Sequence, residues 1–282
     1  MKKFIENTEN QTLKFATKHY ENFPVASFLL PKKIRNDVAI VYWFARTADD
    51  ISDEGNFTSQ QRLEKLENFE REFFRSLGNK STDNHFILLK KTIADKKLTT
   101  QNFIDLISAF KQDIIKKRYE NFDEVLDYCK LSANPIGRIV LELNNIKDEL
   151  VINYSDKICT ALQLTNFYQD SKIDYQKGRI YYPRDEMKLY NVTEKMFELE
   201  KNNQHITALV KHNIDRTHDL FDEGKNLLNY LAGRLKIEIN WTIAGGEKIL
   251  EKIKKNDFDI FNPRQKLSKF DYGFLLIKSL FK

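Results

Sequence analysis

Two stretches of the sequence each carry a pair of aspartates at a spacing of four residues. The first pair is Asp49 and Asp53, and the second is Asp170 and Asp174. On a helix, each pair would place two carboxylates on one face, about 5–6 Å apart at Cβ. Like charges at this spacing repel by roughly 0.2–0.5 kcal/mol, and aspartate is a poor residue for a helix interior. We therefore expect a positively charged group to lie over each pair.

Each pair belongs to a longer polar stripe. Tyr42 and Arg46 precede the first pair at helical spacing, and Gln163 and Asn166 precede the second. Taken alone, the first stripe could equally be a solvated acidic face near a helix end. The second stripe repeats the arrangement within a largely apolar segment, where polar side chains need partners. The repetition favours two helices that line a carboxylate pocket inside a helical bundle.

The residue types indicate the chemistry of such a pocket. Carboxylate oxygens with no histidine or cysteine nearby suit Mg²⁺, which carboxylates share with the oxygens of a bound phosphate. Arg46 could bind the same phosphate, and Lys172 and Arg179 are further candidates. Metal and arginine together would stabilise a departing diphosphate, so that a C–O bond could ionise. The 21 Phe, 12 Tyr and 2 Trp residues permit an aromatic cavity for a carbocation, although many of them must form the core.

A di-iron carboxylate bundle is the competing metal site. It would need glutamates and a Glu-x-x-His pair on each of two helices. None of the five histidines lies in such a motif. We therefore exclude the di-iron interpretation.

The elements that must position these side chains are helices. Only 9 Gly and 5 Pro occur in 282 residues, and no strand-type alternation persists. The sequence predicts one all-α domain over residues 1–282, in which Thr58 or Ser59 caps the third helix. The predicted helices lie at about 8–21, 31–54, 60–77, 83–95, 100–117, 121–147, 154–175, 193–229 and 233–255.

Composition excludes several classes of protein. The formal charge of +5, from 46 basic and 41 acidic residues, is too small and too dispersed for a nucleic-acid-binding protein. Cys129 and Cys159 have neither disulfide-framework nor metal-site spacing, which fits a reducing cytoplasm. The N-terminus lacks a signal-peptide pattern, and no apolar run approaches the roughly 20 residues that span a bilayer. The segment 267–282 mixes apolar and basic residues; we expect it to dock on its own domain, with peripheral membrane contact as the alternative.

Four motifs in order resemble those of the squalene/phytoene synthase family, over roughly residues 15 to 190. The two aspartate pairs resemble its Asp-x-x-x-Asp helices. The other resemblances are Asn22–Pro31 to the substrate flap, Tyr128–Gly137 to the central motif, and Asn166–Asp170 followed by Gly178–Pro183 to the second signature. One Asp-x-x-x-Asp motif is weak evidence, but four motifs in the same order are specific.

The resemblance implies a single-domain isoprenoid synthase fold with a central cavity, a prenyl diphosphate substrate and Mg²⁺ as cofactor. It implies catalytic roles for the four aspartates and Arg46, and metal binding by Asp49, Asp53, Asn166, Asp170 and Asp174. It implies diphosphate contacts by Arg46, Asn22, Tyr42 and Arg179. It places Phe23, Ala133, Asn134, Gly137 and Gln163 along the prenyl pocket.

Two departures narrow the subfamily. Gln169 stands where presqualene- and phytoene-forming members usually have arginine, and the central motif reads Ser-Ala-Asn-Pro-Ile-Gly where they usually have Ala-Gly. Both features resemble the bacterial hydroxysqualene-forming members, which ionise presqualene diphosphate, rearrange the cation and capture it with water without NADPH. Hopanoid or sterol precursor supply, and association with other squalene-pathway enzymes, follow only from this resemblance.

Two alternatives remain at this point. One is the head-to-head condensation of two prenyl diphosphates to presqualene diphosphate or phytoene. The other, from a different class, is a non-catalytic subunit that binds prenyl lipids or a partner synthase. The intact aspartates on both helices disfavour a non-catalytic subunit, because a binding scaffold has no need of metal ligands.

Overall fold

The computed structural model describes residues 2–18 and 34–280. The chain divides into two compact units. Unit 1 comprises Met1–Ile115 and Pro135–Ile152, and unit 2 comprises Lys116–Asn134 and Asn153–Lys282. Whether the two units form the single domain expected from the sequence stays a prediction.

The described residues form helices and connecting loops, with no β-strand among them, as the sequence predicted. In chain order the helices are α1 (Lys2–Lys18), α2 (Arg35–Asp53), α3 (Ser59–Leu77), α4 (Asn84–Lys96), α5 (Thr100–Ile115), α6 (Phe122–Ser132), α7 (Asn134–Leu143), α8 (Glu149–Gln169), α9 (Ser171–Gln176), α10 (Arg184–Leu189), α11 (Glu194–Glu198), α12 (Gln204–Gly224), α13 (Gly233–Lys255) and α14 (Lys269–Leu280). A 3₁₀ turn, Lys225–Asn229, follows α12.

In unit 1, α2 packs against α1, α3, α4 and α5. Phe44 on α2 is fully buried, and its ring centroid lies 5.1 Å from Phe69, 5.2 Å from Phe73 and 5.3 Å from Phe103. At about 100° per residue, Phe44 lies on the helix face opposite Arg46 and the acidic residues that follow it. Burial of this aromatic face therefore fixes which way the polar stripe of α2 points.

In unit 2, buried aromatic rings hold α6, α8 and the loop before α10 together. The rings of Phe167 and Tyr181 stack with centroids 3.6 Å apart and an interplanar angle of 5°, and the ring centroid of Tyr128 lies 5.9 Å from each.

Gly246 on α13 is required by close packing, because a Cβ there would lie 2.8 Å from the side chains of both Leu162 and Phe221.

Two helices predicted as continuous are broken in the structure. The predicted helix 121–147 divides at Ala133 into α6 and α7. The reason is Pro135, which has no N–H and is accommodated in the first turn of the new helix α7. The predicted helix 154–175 divides at Asp170 into α8 and α9.

Other boundaries differ less. The predicted helix 193–229 comprises α11, α12 and the 3₁₀ turn, and the short helix α10 was not predicted. Thr58 caps α3 as expected: its side chain accepts from the Gln61 N–H, and the Gln61 side chain accepts from the Thr58 N–H. Helix α13 has the predicted bounds, and α14 packs on α13. None of the helices in the described part of the chain is long and apolar enough to span a bilayer.

Candidate active site

In unit 1, the candidate site residues lie at the C-terminal end of α2. The Arg46 side chain lies between two acids, with Nε 2.8 Å from Asp50 Oδ1 and Nη1 3.4 Å from Asp49 Oδ2. All three side chains are partly exposed. The predicted stripe is therefore present, and Arg46 offsets part of its negative charge. The contact of Arg46 with Asp50 is the shorter of the two, although Asp50 was not among the predicted site residues.

The carboxyl group of Asp49 is electrostatically strained. Burial and the neighbouring charge of Asp53 raise its pKa from 3.8 to about 7, against the opposing effect of Arg46, and Asp50 and Asp113 raise it further. Ionising Asp49 in the folded protein therefore costs free energy that a bound cation would offset. Arg46 is a positive group beside Asp49, and a bound cation over the pair stays a prediction.

Asp113 on α5 is a residue that the sequence analysis missed. It is 7% exposed and acts on Asp49 from a neighbouring helix of the same unit. Burying an aspartate costs free energy unless other groups compensate its charge. A buried aspartate such as Asp113 is therefore expected to have a functional or structural role. Its place on the same helix face as the apolar residues Leu106 and Ala109 could have indicated it from the sequence.

The end of α2 is stabilised by Arg62 of α3. Its Nη1 donates to the carbonyl oxygens of Ile51 at 3.3 Å and Glu54 at 2.9 Å, and its Nη2 donates to Gly55 O at 2.7 Å. A cation at a helix C-terminus offsets the partial negative charge of the terminal carbonyl groups. Arg62 therefore stabilises a helix end at which aspartates would otherwise be unfavourable.

In unit 2, the second stripe follows three successive turns of helix. Although α8 ends at Gln169, helical hydrogen bonding continues, because the Asp170 N–H donates to Asn166 O at 2.9 Å and the Asp174 N–H donates to Asp170 O at 2.8 Å. The side chains of Asn166, Asp170 and Asp174 therefore keep the predicted spacing across the break. All three are partly exposed.

Two arginines approach these carboxylates. Arg264, in the loop between α13 and α14, forms a bidentate ion pair with Asp170. Its Nε donates to Oδ1, and its Nη2 donates to Oδ2 at 3.0 Å. Arg179 is 7% exposed, and its Nη2 lies 3.7 Å from Asp174 Oδ1. Arg179 was predicted from the sequence as a candidate diphosphate contact. Arg264 was not predicted, because it lies in no recognised motif.

The loop that carries Arg264 is also bound to α8 and α9 on either side of Asp170. Gln169 Nε2 donates to the carbonyl oxygen of Gln265 at 2.6 Å, and Lys172 Nζ donates to Asn262 Oδ1 at 3.2 Å. Lys172 also pairs with Glu200 at 2.6 Å, which accounts for its charge within the protein. Whether Lys172 also binds a phosphate stays a prediction.

A buried hydrogen-bond network fixes α8 from the other side. Tyr168 Oη donates to Asn213 Oδ1 at 3.2 Å, and Arg216 on α12 donates to Asn213 Oδ1 at 2.7 Å. Arg216 also binds both carboxylate oxygens of Glu186, at 2.5 and 3.2 Å. Because Tyr168 precedes Gln169 and Asp170, this network holds the end of α8 that carries the acidic stripe.

The remaining predicted residues occupy varied environments. Asn134 is buried, and its Oδ1 accepts from the Thr160 hydroxyl at 3.0 Å, so its side chain joins α7 to α8. Ala133, Gly137 and Gln163 are partly exposed. Nothing in these environments tests whether they line a prenyl pocket.

Tyr42, on the stripe of α2, is partly exposed, and its ring centroid lies 6.2 Å from that of Phe15 on α1. Asn22 and Phe23, the predicted residues of the substrate flap, lie outside the described residues. The expectations for all three therefore stay predictions.

The donor set suits Mg²⁺ better than a metal held by the protein alone. Within the described ranges, no group of three or more His, Cys, Asp or Glu side chains is arranged to hold a metal ion. Each stripe instead offers carboxylates on adjacent helical turns, with Asn166 adding an amide oxygen in unit 2. Mg²⁺ is bound in this way when phosphate oxygens and water complete its coordination. The residues present therefore fit such an ion.

Comparison with known proteins identifies the family. The sequence profile of squalene/phytoene synthase matches residues 16–271. A hydroxysqualene synthase from Rhodopseudomonas palustris is 31% identical over 239 residues, covering 84% of this chain and 80% of that protein. Phytoene synthase 1 of Solanum lycopersicum is 25% identical over 257 residues, covering 88% of this chain and 62% of that protein.

The fold agrees with these matches. The crystal structure of squalene synthase HpnC from Alicyclobacillus acidocaldarius superposes with a TM-score of 0.85 at 32% identity, covering 91% of this chain and 97% of that one. The all-α, isoprenoid synthase-type fold expected from the sequence is thereby confirmed. The chain belongs to the squalene/phytoene synthase family.

Proposed function

We propose that this chain converts presqualene diphosphate and water into hydroxysqualene and diphosphate. The observation that carries the proposal is that two Asp-x-x-x-Asp helices, each with an arginine on its carboxylates, occur in a chain 31% identical to a protein named hydroxysqualene synthase. The relative named phytoene synthase matches less closely. Membership of the family supports action on a prenyl diphosphate.

The reaction is an ionisation followed by capture. The C–O bond of presqualene diphosphate breaks, and its electron pair leaves on the diphosphate. The resulting cyclopropylcarbinyl cation rearranges, a water oxygen forms the new C–O bond, and a proton is released to solvent. No reductant is consumed, which fits an alcohol as the product instead of squalene.

Each stripe has a role in the first step. Mg²⁺ would be held by Asp49 and Asp53 in unit 1, and by Asn166, Asp170 and Asp174 in unit 2. When bound, it would neutralise charge on a leaving diphosphate. Binding the ion would relieve the electrostatic strain on Asp49, whose pKa is raised to about 7 by burial and by Asp53.

The arginines of each unit would also contact diphosphate oxygens. Arg46, Arg179 and Arg264 each lie beside one or two of these carboxylates. A guanidinium that shares its charge with a carboxylate can turn part of its fork to phosphate oxygens. We propose that the arginines of each unit bind diphosphate oxygens, so that charge developing on a leaving diphosphate is stabilised.

The role of Gln169 supports the hydroxysqualene-forming reaction over condensation of two farnesyl diphosphates. Condensing relatives usually have arginine at this position. Here the Gln169 side chain is 4% exposed, and its amide nitrogen is used in the bond to Gln265 O. The position therefore supplies no positive charge for the second diphosphate that a condensing enzyme must bind.

Product analysis of the purified protein with Mg²⁺ tests the proposal. Presqualene diphosphate should be consumed to give hydroxysqualene, while farnesyl diphosphate is left unchanged. Consumption of farnesyl diphosphate alone would instead support the condensing reaction, and no diphosphate release from either substrate would support a non-catalytic subunit.

Matched variants link the activity to the stripes. Asp49→Asn and Asp170→Asn should each lower the rate of diphosphate release at least about a hundredfold, because each removes a charged oxygen ligand without changing shape. Asp219→Asn, at an exposed position on α12, is the control and should keep the wild-type rate. Wild-type rates in both stripe variants would contradict the mechanism.

A further inference from the structure

Helix α14 is held firmly by one face. At its start, the Ser268 N–H and hydroxyl both donate to Asp271 Oδ2 at 2.7 Å, and Lys252 of α13 pairs with the same oxygen at 2.7 Å. One residue later, Trp241 of α13 donates from Nε1 to the carbonyl oxygen of Tyr272 at 3.2 Å. The helix is therefore fixed on α13, and its outward face is presented in one orientation.

That outward face is apolar. Leu275 and Ser279 face α13 and are 6% and 4% exposed, whereas the opposite side of the helix is open to solvent. Its large apolar residues are Phe270, Phe274, Ile277 and Leu280, which are 80%, 57%, 58% and 52% exposed. These four residues are called the α14 apolar face. Such an extensive exposed apolar stripe on one helix indicates a surface that something covers.

The charged residues on the exposed side of α14 are all positive. Lys269 and Lys278 are exposed, and at about 100° per residue they lie on the two opposite edges of the α14 apolar face. Lys266, just before the helix, is also exposed. The acidic residue of α14, Asp271, is turned inward to Lys252. The described part of α14 therefore presents apolar side chains flanked by positive charge, with no exposed acid.

We infer that the α14 apolar face binds the surface of an anionic lipid bilayer. An apolar stripe with aromatic residues and flanking lysines is the arrangement by which a helix lies in the membrane interface. The lysine stems would extend along the stripe so that their ammonium groups reach the anionic headgroups. Because the lysines flank the apolar stripe along its length, the helix axis would lie parallel to the membrane surface.

The lipid surface fits better than a protein partner because of this charge arrangement. A second copy would bring the same lysines against each other and would leave them without acidic partners. An anionic bilayer supplies both an apolar layer for the aromatic rings and negative charge at the depth of the ammonium groups. The inference does not depend on which prenyl diphosphate the protein uses.

Sedimentation of the full chain with lipid vesicles tests the inference. We expect binding to vesicles that contain phosphatidylglycerol and weak binding to vesicles of phosphatidylcholine alone. A triple variant, Phe270→Ser, Phe274→Ser and Ile277→Ser, should lose at least about tenfold in affinity for the anionic vesicles. A double variant, Lys269→Glu and Lys278→Glu, should lose the preference for anionic lipid and the dependence on salt.

Controls separate membrane binding from misfolding and from self-association. Leu189→Ser, at an apolar position that is 70% exposed on α10, should bind vesicles like the wild type. The α14 variants should keep the wild-type thermal midpoint and the wild-type rate on detergent-dispersed substrate, because they leave Leu275 and Ser279 in place. The inference would be overturned if the triple variant bound as the wild type does. It would equally be overturned if the wild type failed to bind the anionic vesicles, whether or not it formed a dimer that the triple variant lacks.

Discussion

Replacing Asp49 with asparagine should stabilise the protein in metal-free buffer, although it should also slow diphosphate release. The pKa of Asp49 is raised from 3.8 to about 7 by burial and by the neighbouring carboxylate of Asp53. The folded state therefore holds this proton more tightly than the unfolded state does. The resulting cost to stability grows as pH rises above about 4 and is complete above about pH 7. Asparagine keeps the shape of the side chain and removes the charge.

The magnitude follows from the pKa difference and the exposure of the group. At about 1.36 kcal/mol for each pKa unit, the difference between 3.8 and about 7 corresponds to about 4 kcal/mol for a fully shielded group. The Asp49 side chain is 38% exposed, so water screens much of this interaction. We expect Asp49→Asn to raise the free energy of unfolding by about 1–2 kcal/mol above about pH 7.

Urea unfolding in the absence of divalent cations measures this effect. The wild type, Asp49→Asn and the surface control Asp219→Asn should be compared at about pH 8 and about pH 5. The gain in Asp49→Asn should be largest at the higher pH and should shrink at the lower pH, where wild-type Asp49 is protonated. The control should show no gain at either pH. A loss of stability in Asp49→Asn, or a gain that is independent of pH, would refute the electrostatic explanation.

Three further predictions concern arginines that hold the candidate site. Arg264→Ala should slow diphosphate release at least about tenfold while costing only about 0.2–1 kcal/mol of stability, because its pair with Asp170 is partly exposed; Arg264→Lys should recover little of the rate, since lysine lacks the fork. Arg216→Met should lower the free energy of unfolding by about 3 kcal/mol or more in urea titrations, because Glu186 keeps a largely buried charge without its partner. Arg62→Ala should lower it by about 1–3 kcal/mol through the loss of three hydrogen bonds at the end of α2.

Arg71→Ala is the common control for these variants. Arg71 lies on α3 and is exposed, and its side chain contacts Asn68 one turn earlier on the same helix. We expect less than about 0.5 kcal/mol of lost stability and an unchanged rate. If Arg264→Ala released diphosphate as fast as Arg71→Ala, Arg264 would have no role in binding the leaving group. If Arg216→Met were as stable as Arg71→Ala, the buried network would not hold α8.

The helical stripes could be predicted from the sequence because their signal is local. Spacing alone placed Arg46, Asp49 and Asp53 on one face of α2, and the burial of Phe44 on the opposite face agrees. The cap of α3 was likewise predicted from neighbouring residues, with Thr58 as one of two candidates. Such signals depend only on the chain within one or two helical turns, which is the range over which sequence patterns carry physical information.

Contacts between distant parts of the chain could not be predicted in this way. Asp113 and Arg264 reach the acidic stripes from α5 and from the loop before α14, and neither belongs to a motif. The hydrogen bond that Asn134 accepts from Thr160 was likewise not predicted, and the place of Asn134 along the prenyl pocket stays a prediction. The break at Asp170 was also missed, because the helical hydrogen bonds across it keep the spacing that predicted one helix.

The most direct test of the central claim is to follow the oxygen in the product. The purified protein should be incubated with presqualene diphosphate and Mg²⁺ in water enriched in heavy oxygen, and the products should be examined by mass spectrometry. We predict hydroxysqualene that carries one solvent oxygen, formed in equal amount with diphosphate. An unlabelled alcohol, a hydrocarbon product or unconsumed presqualene diphosphate would contradict the capture of an enzyme-bound cation by water.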